Sequence, residues 1–452
     1  MFPDGFLWGA STAAFQIEGD RAGRGDTVWD EFCTRPGRVF DGHTGDVACD
    51  HVGRLEEDLD LMAAMGLKAY RFSFSWARCI PGGTGAVSES GLAFYDRLID
   101  GLRERNIEPV ATIYHWDLPL ELFRRGGWLN RESADWFAAY TRVLVDRYSD
   151  RITHWLTLNE PQVFLNLGHL EGTHAPGLRL SMQEALHASH HALLAHGRAV
   201  EVIRERAKTA PTVGFAPLIE LRSPVDESPE SIEAARASSM ANAPDHLWSN
   251  TWFADPVFKG EYPEDGLSLY GIAMPRNFEA DLETISRPID LLGLNVYRGR
   301  LIRAGDSGGE SGGPGVEVDR EIGYPQTAFR WAVDPVSLYW GPRFMHERYG
   351  KPILITENGL SNVDFPGADG TVEDPQRVEF TRAYLKQLGR AIDDGVPIVG
   401  YLHWSLLDNF EWAEGYKERF GLIYVDYPTG KRTPKASSRW YRGVIESNGA
   451  TL

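Results

Sequence analysis

Short apolar runs alternate along this chain with longer stretches of helical spacing, and that alternation is what first gives it a shape. The clearest run is residues 352–360, P-I-L-I-T-E-N-G-L, in which Ile353, Leu354 and Ile355 have the apolar, branched character of a strand buried on both faces. It ends in one carboxylate, Glu357, followed by the turn pair Asn358-Gly359. Residues 151–161, R-I-T-H-W-L-T-L-N-E-P, repeat the design and end in Glu160. Pro161 disfavours helical geometry at the residue before it, so this strand is expected to stay extended up to Glu160.

Six further strands are expected at residues 6–14, 69–76, 108–116, 211–217, 289–297 and 397–404. Helical spacing separates them at 55–65, 91–105, 134–148, 182–207, 335–349 and 374–395. Strands that alternate with helices imply an α/β fold with a parallel sheet. Eight of them imply a (β/α)8 TIM barrel, a single domain over residues 1–452 with extended loops after the strands. Residues 420–426 read as a small hairpin strand beyond the barrel. Residues 305–323, rich in Gly, Ser and acids, read as a mobile surface loop.

Composition narrows the function. With 46 Lys and Arg against 64 Asp and Glu, the formal net charge is −18, the opposite of a nucleic-acid footprint. No apolar run reaches membrane-spanning length, and the N-terminus M-F-P-D-G-F-L-W lacks a basic segment followed by an apolar one. Cys33, Cys49 and Cys79 are an odd number without C-x-x-C spacing, so neither a disulfide framework nor a zinc site is indicated and a cytoplasmic location is expected. His187, His190 and His191 share a helix at i, i+3 and i+4, but no acidic or cysteine ligand pattern accompanies them. The 14 Trp exceed what a core needs and suit stacking on the apolar faces of sugars.

If the strands carrying Glu160 and Glu357 belong to one parallel barrel, both carboxyls lie on its C-terminal face, where such barrels build active sites. Paired carboxylates across a bond are the equipment of glycoside hydrolysis. Arg71, inside the 69–76 strand, needs an anion if buried and is a candidate partner for one of them. His115 and Trp116 fall at the end of the third strand, and Asn295 and Tyr297 at the end of the sixth.

Several segments in this order resemble glycoside hydrolase family 1, the β-glucosidase family, over nearly the whole chain. They are F-L-W-G-A-S-T-A-A-F-Q-I-E-G at 6–19, G-D-V-A-C-D-H at 45–51, Y-H-W-D-L-P at 114–119, L-N-E-P at 158–161, I-T-E-N-G at 355–359, W-S-L-L-D-N-F-E-W-A-E-G-Y at 404–416, R-F-G-L-I-Y-V-D at 419–426 and K-R-T-P-K at 431–435. The resemblance implies a retaining β-glycosidase for terminal β-D-glucosyl residues, with β-galactosides and β-fucosides as further substrates. Small β-glucosides or cello-oligosaccharides are the implied partners, without cofactor or metal. It casts Glu357 as nucleophile and Glu160 as acid/base, with Arg71 and Tyr297 holding the nucleophile. Gln16, His115, Trp116, Asn159, Asn295, Trp404, Glu411, Trp412 and Phe420 fall on its sugar-contacting positions, with Asn159 next to the 2-hydroxyl and Trp404 under the ring. Trp331 lines the leaving-group side by analogy.

Two positions depart from the family pattern: Gln162 stands where Trp is common after N-E-P, and Asn295-Val296-Tyr297 replaces N-Y-Y. Four alternatives compete with the β-glucosidase reading, and one of them, a transglycosylase, shares every catalytic residue and differs only in which acceptor reaches the intermediate. A 6-phospho-β-glycosidase is disfavoured by Glu411, whose charge would repel a sugar phosphate. A thioglycosidase is disfavoured because Glu160 is present. A non-catalytic sugar-binding barrel would not need two carboxyls.

Overall fold

The computed structural model describes residues 2–305 and 315–452. Eight parallel strands, Leu7–Ser11, Ala69–Ser73, Glu108–Tyr114, His154–Asn159, Thr212–Ala216, Leu291–Asn295, Ile353–Asn358 and Ile398–Trp404, close into a barrel. They follow one another around the ring in chain order, and the first strand pairs with the last. This is the (β/α)8 architecture that the strand and helix spacing implies. No helix among the described residues is long and apolar enough to cross a membrane.

Side chains from every strand fill the closed ring. Leu7, Ala69, Val110, Leu156, Ala216, Leu291, Leu354 and Leu402, one from each barrel strand, form a cluster of their own inside the barrel. The opposite strand faces join a second, larger cluster with the helices, which reaches from Phe2 to Ile445. Gly9 shows how tight the interior is: a Cβ there would meet the Ala69 carbonyl oxygen at 2.2 Å and a Leu402 methyl at 2.7 Å.

The helices lie where their spacing placed them, among them Leu55–Ala64, Glu89–Glu104, Ser133–Tyr148, Met182–Arg206, Ser337–Tyr349 and Pro375–Asp393. The Met182–Arg206 helix starts at a capping box, in which the Ser181 hydroxyl accepts from the Glu184 amide and Glu184 accepts from the Ser181 amide. Its histidines point to separate partners. His190 bonds Tyr262 and Asp281, whereas His191 Nδ1 bonds the Trp128 carbonyl.

Several strands stop earlier than their apolar runs suggest, although the eighth ends at Trp404 as expected. The first ends at Ser11, not Ala14, because Ala14–Ile17 turns into a short helix, and the second ends at Ser73 before the Trp76–Cys79 helix. The 305–323 segment needs a larger correction. Residues 306–314 lie outside the described residues, but Gly315–Val318 is a strand, antiparallel to Gly299–Ala304, which in turn runs parallel to Leu221–Pro224. This three-stranded sheet extends the loops after the fifth and sixth barrel strands. Its strands are too short, and too mixed in composition, to announce themselves by period. The hairpin expected near residues 420–426 is present as Ile423–Asp426 against Lys431–Pro434.

Candidate active site

At the C-terminal ends of the strands opens a cavity of about 1010 Å³, with Glu160, Tyr297, Glu357, Trp404, Glu411 and Phe420 on its wall. Glu160 and Glu357 are thus on one face of the barrel and in one chamber. Behind that wall, Gln16, Arg71, Asn159 and Asn295 are fully buried.

Arg71 is the hub of this buried layer. Its Nη1 donates to Glu357 Oε1 at 2.6 Å, Nη2 to Asn159 Oδ1 at 2.7 Å and Nε to Thr112 Oγ1 at 2.9 Å. Tyr297 donates its hydroxyl to the other Glu357 oxygen at 2.7 Å. Glu160 has a poorer set, one bond at 2.7 Å from Asn295 Nδ2, which also donates to Asn159 Oδ1 at 3.0 Å. Asn295 is itself oriented by Thr356, whose hydroxyl donates to its Oδ1 at 2.6 Å.

These unequal surroundings separate the two carboxyls electrostatically. Burial raises the pKa of both, but at Glu357 the Arg71 charge and the Tyr297 hydrogen bond oppose it. At Glu160 burial acts together with the negative charge of Glu357 and pushes the pKa well above the carboxylate range, against only the Asn295 hydrogen bond and a more distant Arg71. When the pair holds one proton, it therefore sits on Glu160.

Two backbone features aim these groups. Glu160 adopts φ 45 and ψ 63, a left-handed conformation, and caps the short Pro161–Leu165 helix. The extended geometry expected of it is thus not what forms. Pro161 excludes right-handed helix at Glu160 but not the left-handed turn, and the turn swings the carboxyl off the strand at a cost of roughly 1–2 kcal/mol. The register also slips between Leu156 and Asn159 against the fifth strand, and between Ile355 and Glu357 against the sixth. Strict alternation from Leu354 and Leu156, both inside the barrel, would send Glu357 and Asn159 to the helix side. The slips turn both inward.

His115 completes the inner wall. Asn159 Oδ1 is committed to Arg71 and Asn295, so its Nδ2 faces His115 Nε2 at 3.1 Å, which makes Nε2 the acceptor and leaves the proton on Nδ1. Burial, with the nearby Arg71 charge, drives the imidazole pKa well below its usual value, so the ring is neutral. His115 Nδ1 and Gln16 Oε1 are buried and make no hydrogen bond among the described residues, a donor and an acceptor unspent beside the cavity. The His115 ring stacks at 5.9 Å on Trp404 and at 6.1 Å on Trp412, and Trp116 packs against Trp412 at 4.7 Å.

Glu411 differs from its sequence-based expectation. Burial, and next the charge of Glu357, raise its pKa to about 8, and the amide of Gln16 at 3.4 Å is its only side-chain hydrogen-bond donor among the described residues. It is therefore chiefly protonated at neutral pH. Its charge cannot then be what excludes a phosphorylated sugar at that pH, although as a neutral acid it can both donate to and accept from hydroxyls.

The geometry has a clear counterpart among known proteins, since the model of glycosyl hydrolase family 1 matches residues 1–450. The chain belongs to glycosyl hydrolase family 1. A 1,4-beta-D-glucan glucohydrolase of Thermotoga neapolitana, similar across this whole chain and 99% of its own, is 46% identical. Beta-glucosidase A of Thermotoga maritima is 45% identical over 99% of this chain and 98% of its own. A solved Thermotoga maritima beta-glucosidase in complex with deoxynojirimycin superposes with a TM-score of 0.90 at 44% identity, covering 99% of each chain.

Within this family 1 site the two departures have physical consequences. Gln162 is 1% exposed and donates from Nε2 to the Leu218 carbonyl at 3.0 Å, so it ties the acid-bearing turn to the loop after the fifth strand. Val296 is fully buried, leaving the hydroxyl work to Tyr297. Trp331 lines the cavity and meets Tyr297 edge-on at 5.2 Å. Phe329, stacked on Trp331 at 4.6 Å, and the outer wall from Arg222, Trp248, Arg298 and Arg300 carry no signal in the sequence pattern. They sit on loops, where neither period nor motif marks a residue as facing a cavity.

Proposed function

We propose that this protein is a retaining β-glucosidase that removes terminal non-reducing β-D-glucosyl residues from small β-glucosides or cello-oligosaccharides, with β-galactosides and β-fucosides as secondary substrates. The reading is carried by the opposed protonation of two carboxyls in one chamber, Glu357 held charged by Arg71 and Tyr297, Glu160 left to hold a proton. Full-length similarity to proteins named 1,4-beta-D-glucan glucohydrolase and beta-glucosidase A supports the sugar.

In this mechanism Glu357 Oε attacks the anomeric carbon while Glu160 gives its proton to the leaving oxygen, so the glycosidic bond breaks as the glycosyl ester forms. The departing aglycone takes the proton. Esterification removes the Glu357 charge that raised the Glu160 pKa, so Glu160, now ionised, becomes a stable base. It takes a proton from water, whose oxygen attacks the anomeric carbon from the face the aglycone left. Glu357 departs as carboxylate, Glu160 is again protonated, and the sugar is released with its β configuration.

The neutral His115, the amide of Gln16 and the Glu411 carboxyl supply donors and acceptors for ring hydroxyls, and Trp404 supplies a flat apolar floor. The cationic side chains that line the cavity among the described residues are Arg222, Arg298 and Arg300, all on its outer side on the loops after the fifth and sixth strands. That arrangement favours a neutral glucosyl unit over its 6-phosphate even with Glu411 protonated. The three cysteines, unpaired and buried, support a reducing, cytoplasmic setting.

Proton NMR of the first product from an aryl β-glucoside tests the reading, with β-glucose expected first. Azide added to Glu160→Ala is expected to yield the β-glucosyl azide. Release of α-glucose by the wild type would overturn the retaining mechanism, and an α-azide from the variant would reverse the two roles.

A further inference from the structure

The outer wall of the cavity holds a group of charges that hydrolysis of a glucoside does not use. Arg222 and Arg300 are direct partners in the parallel pairing of Leu221–Pro224 with Gly299–Ala304, and Arg298 lies two residues before Arg300. Like charges opposite one another in a sheet are unfavourable unless something else occupies the space between them. The carboxylates within the group do not resolve the conflict. Arg222 Nη1 stands 3.5 Å from Glu220, and among the described residues neither Nη1 nor Nε makes a hydrogen bond although both are buried. Arg300 reaches Glu317 at 3.4 Å while half of its side chain stays exposed. Arg298 makes no hydrogen bond or ion pair among the described residues.

Arg298 instead lies over an aromatic ring, its guanidinium carbon 5.4 Å from the centre of Trp331. Trp331 stacks on Phe329 at 4.6 Å and touches Tyr297, whose hydroxyl holds Glu357. An aromatic shelf thus runs from the scissile position outward and ends under guanidinium groups with unspent donors. Three guanidiniums face the two carboxylates of this group, on a cavity wall that also carries Glu171, Asp245 and Glu414, in a protein of net charge −18. The global charge acts through screened distance, with a Debye length of about 8 Å in physiological salt, whereas these groups contact the cavity directly. Burial, together with the neighbouring guanidiniums, lowers the pKa of Arg222 and of Arg298 and marks the same mutual repulsion.

We propose that the outer subsite selects aglycones in which an aromatic ring carries a carboxylate: the ring lies on Trp331 and Phe329, and the carboxylate is received by Arg298 and Arg222. A carboxylate suits a guanidinium fork because two N–H groups meet two oxygens in one plane. The inference rests on the glucosidase reading of the inner site and adds to it the chemical class of the leaving group.

The test compares 4-carboxyphenyl β-D-glucoside with its methyl ester, the same ring without the charge. The two differ in leaving ability, so the quantity read is the acid-to-ester ratio of kcat/KM in wild type divided by that ratio in Arg222→Gln/Arg298→Gln. A value of about ten or more is expected, arising in KM and shrinking between 0.05 M and 0.5 M NaCl on the order that screening of direct charge pairs predicts. A value near one overturns the proposal. Binding of the uncleaved 4-carboxyphenyl 1-thio-β-D-glucoside, measured by calorimetry, provides a second readout in wild type and in the single variant Arg298→Gln. It is expected to weaken several-fold in the variant, and equal affinity refutes the subsite even if the double variant fails to fold. Failure of the wild type to cleave either glucoside would refute the glucosidase reading, while the thioglycoside comparison would still decide the outer subsite.

Discussion

Glu411→Gln is expected to make the protein more stable, and increasingly so as the pH rises. In the folded protein the carboxyl is half-buried beside Glu357, with Glu418 and Glu414 also near and no cation paired to it among the described residues, and its pKa is raised to about 8. In the unfolded chain it titrates near 4.5. Because the folded pKa is the higher one, the folded state binds the extra proton between these two values, and stability falls as pH rises through that window. The difference of roughly 3.5 pKa units corresponds to about 5 kcal/mol at full effect, and water reaching the half-buried group reduces this to about 3–5 kcal/mol. At pH 5 the same linkage amounts to less than about 1 kcal/mol. A neutral amide at this position would carry no such penalty at any pH. For a chain of this length the unfolding entropy is about 1 kcal/mol per kelvin, so the variant should melt about 3–5 °C above wild type at pH 9 and within about 1 °C of it at pH 5. Scanning calorimetry or circular dichroism at matched heating rates measures the gap. A gap independent of pH, or a variant that melts lower at pH 9, would refute the claim that Glu411 is held protonated by its surroundings.

Glu160→Ala should retain the first step for aryl glucosides with good leaving groups and lose it for alkyl glucosides, whereas Glu357→Gly should lose both, as burst and steady-state kinetics with matched substrates would show. Arg71→Met leaves Glu357 buried without its cation, so a loss of about 3–5 kcal/mol in stability and a deep fall in kcat are expected; denaturation midpoints near wild type would contradict the hub role of Arg71. In Glu357→Gln the Glu160 pKa should drop, because one of the two main causes of its elevation is removed, and ¹³C NMR of labelled glutamate reads that shift directly. Preference for an aryl β-glucoside over its 6-phosphate should widen as pH rises through about 8 and Glu411 ionises; a preference that narrows would exclude Glu411 from the glycone end of the cavity.

Much of this protein is legible in one dimension because its strands are buried on both faces. Ile353, Leu354 and Ile355 must all be apolar, since one faces the barrel interior and its neighbours face the helices, and that requirement writes a strand into the sequence whatever surrounds it. The helices announce themselves for a similar reason, through an apolar stripe and caps such as Ser181 with Glu184. Eight alternations then leave little choice but a closed parallel barrel, and the barrel puts strand-end residues such as Glu160 and Glu357 on one face. What period cannot carry is departure from period. The slips that turn Asn159 and Glu357 inward and the left-handed turn at Glu160 follow from how neighbouring strands register, not from the residues taken singly. The protonation of Glu411 likewise depends on which charges the fold brings near it, and a motif that names the carboxyl is silent about them. The outer wall is the extreme case: Arg222, Arg298 and Trp331 lie far apart in sequence, on loops without period, and only the closing of the barrel sets their side chains around one space.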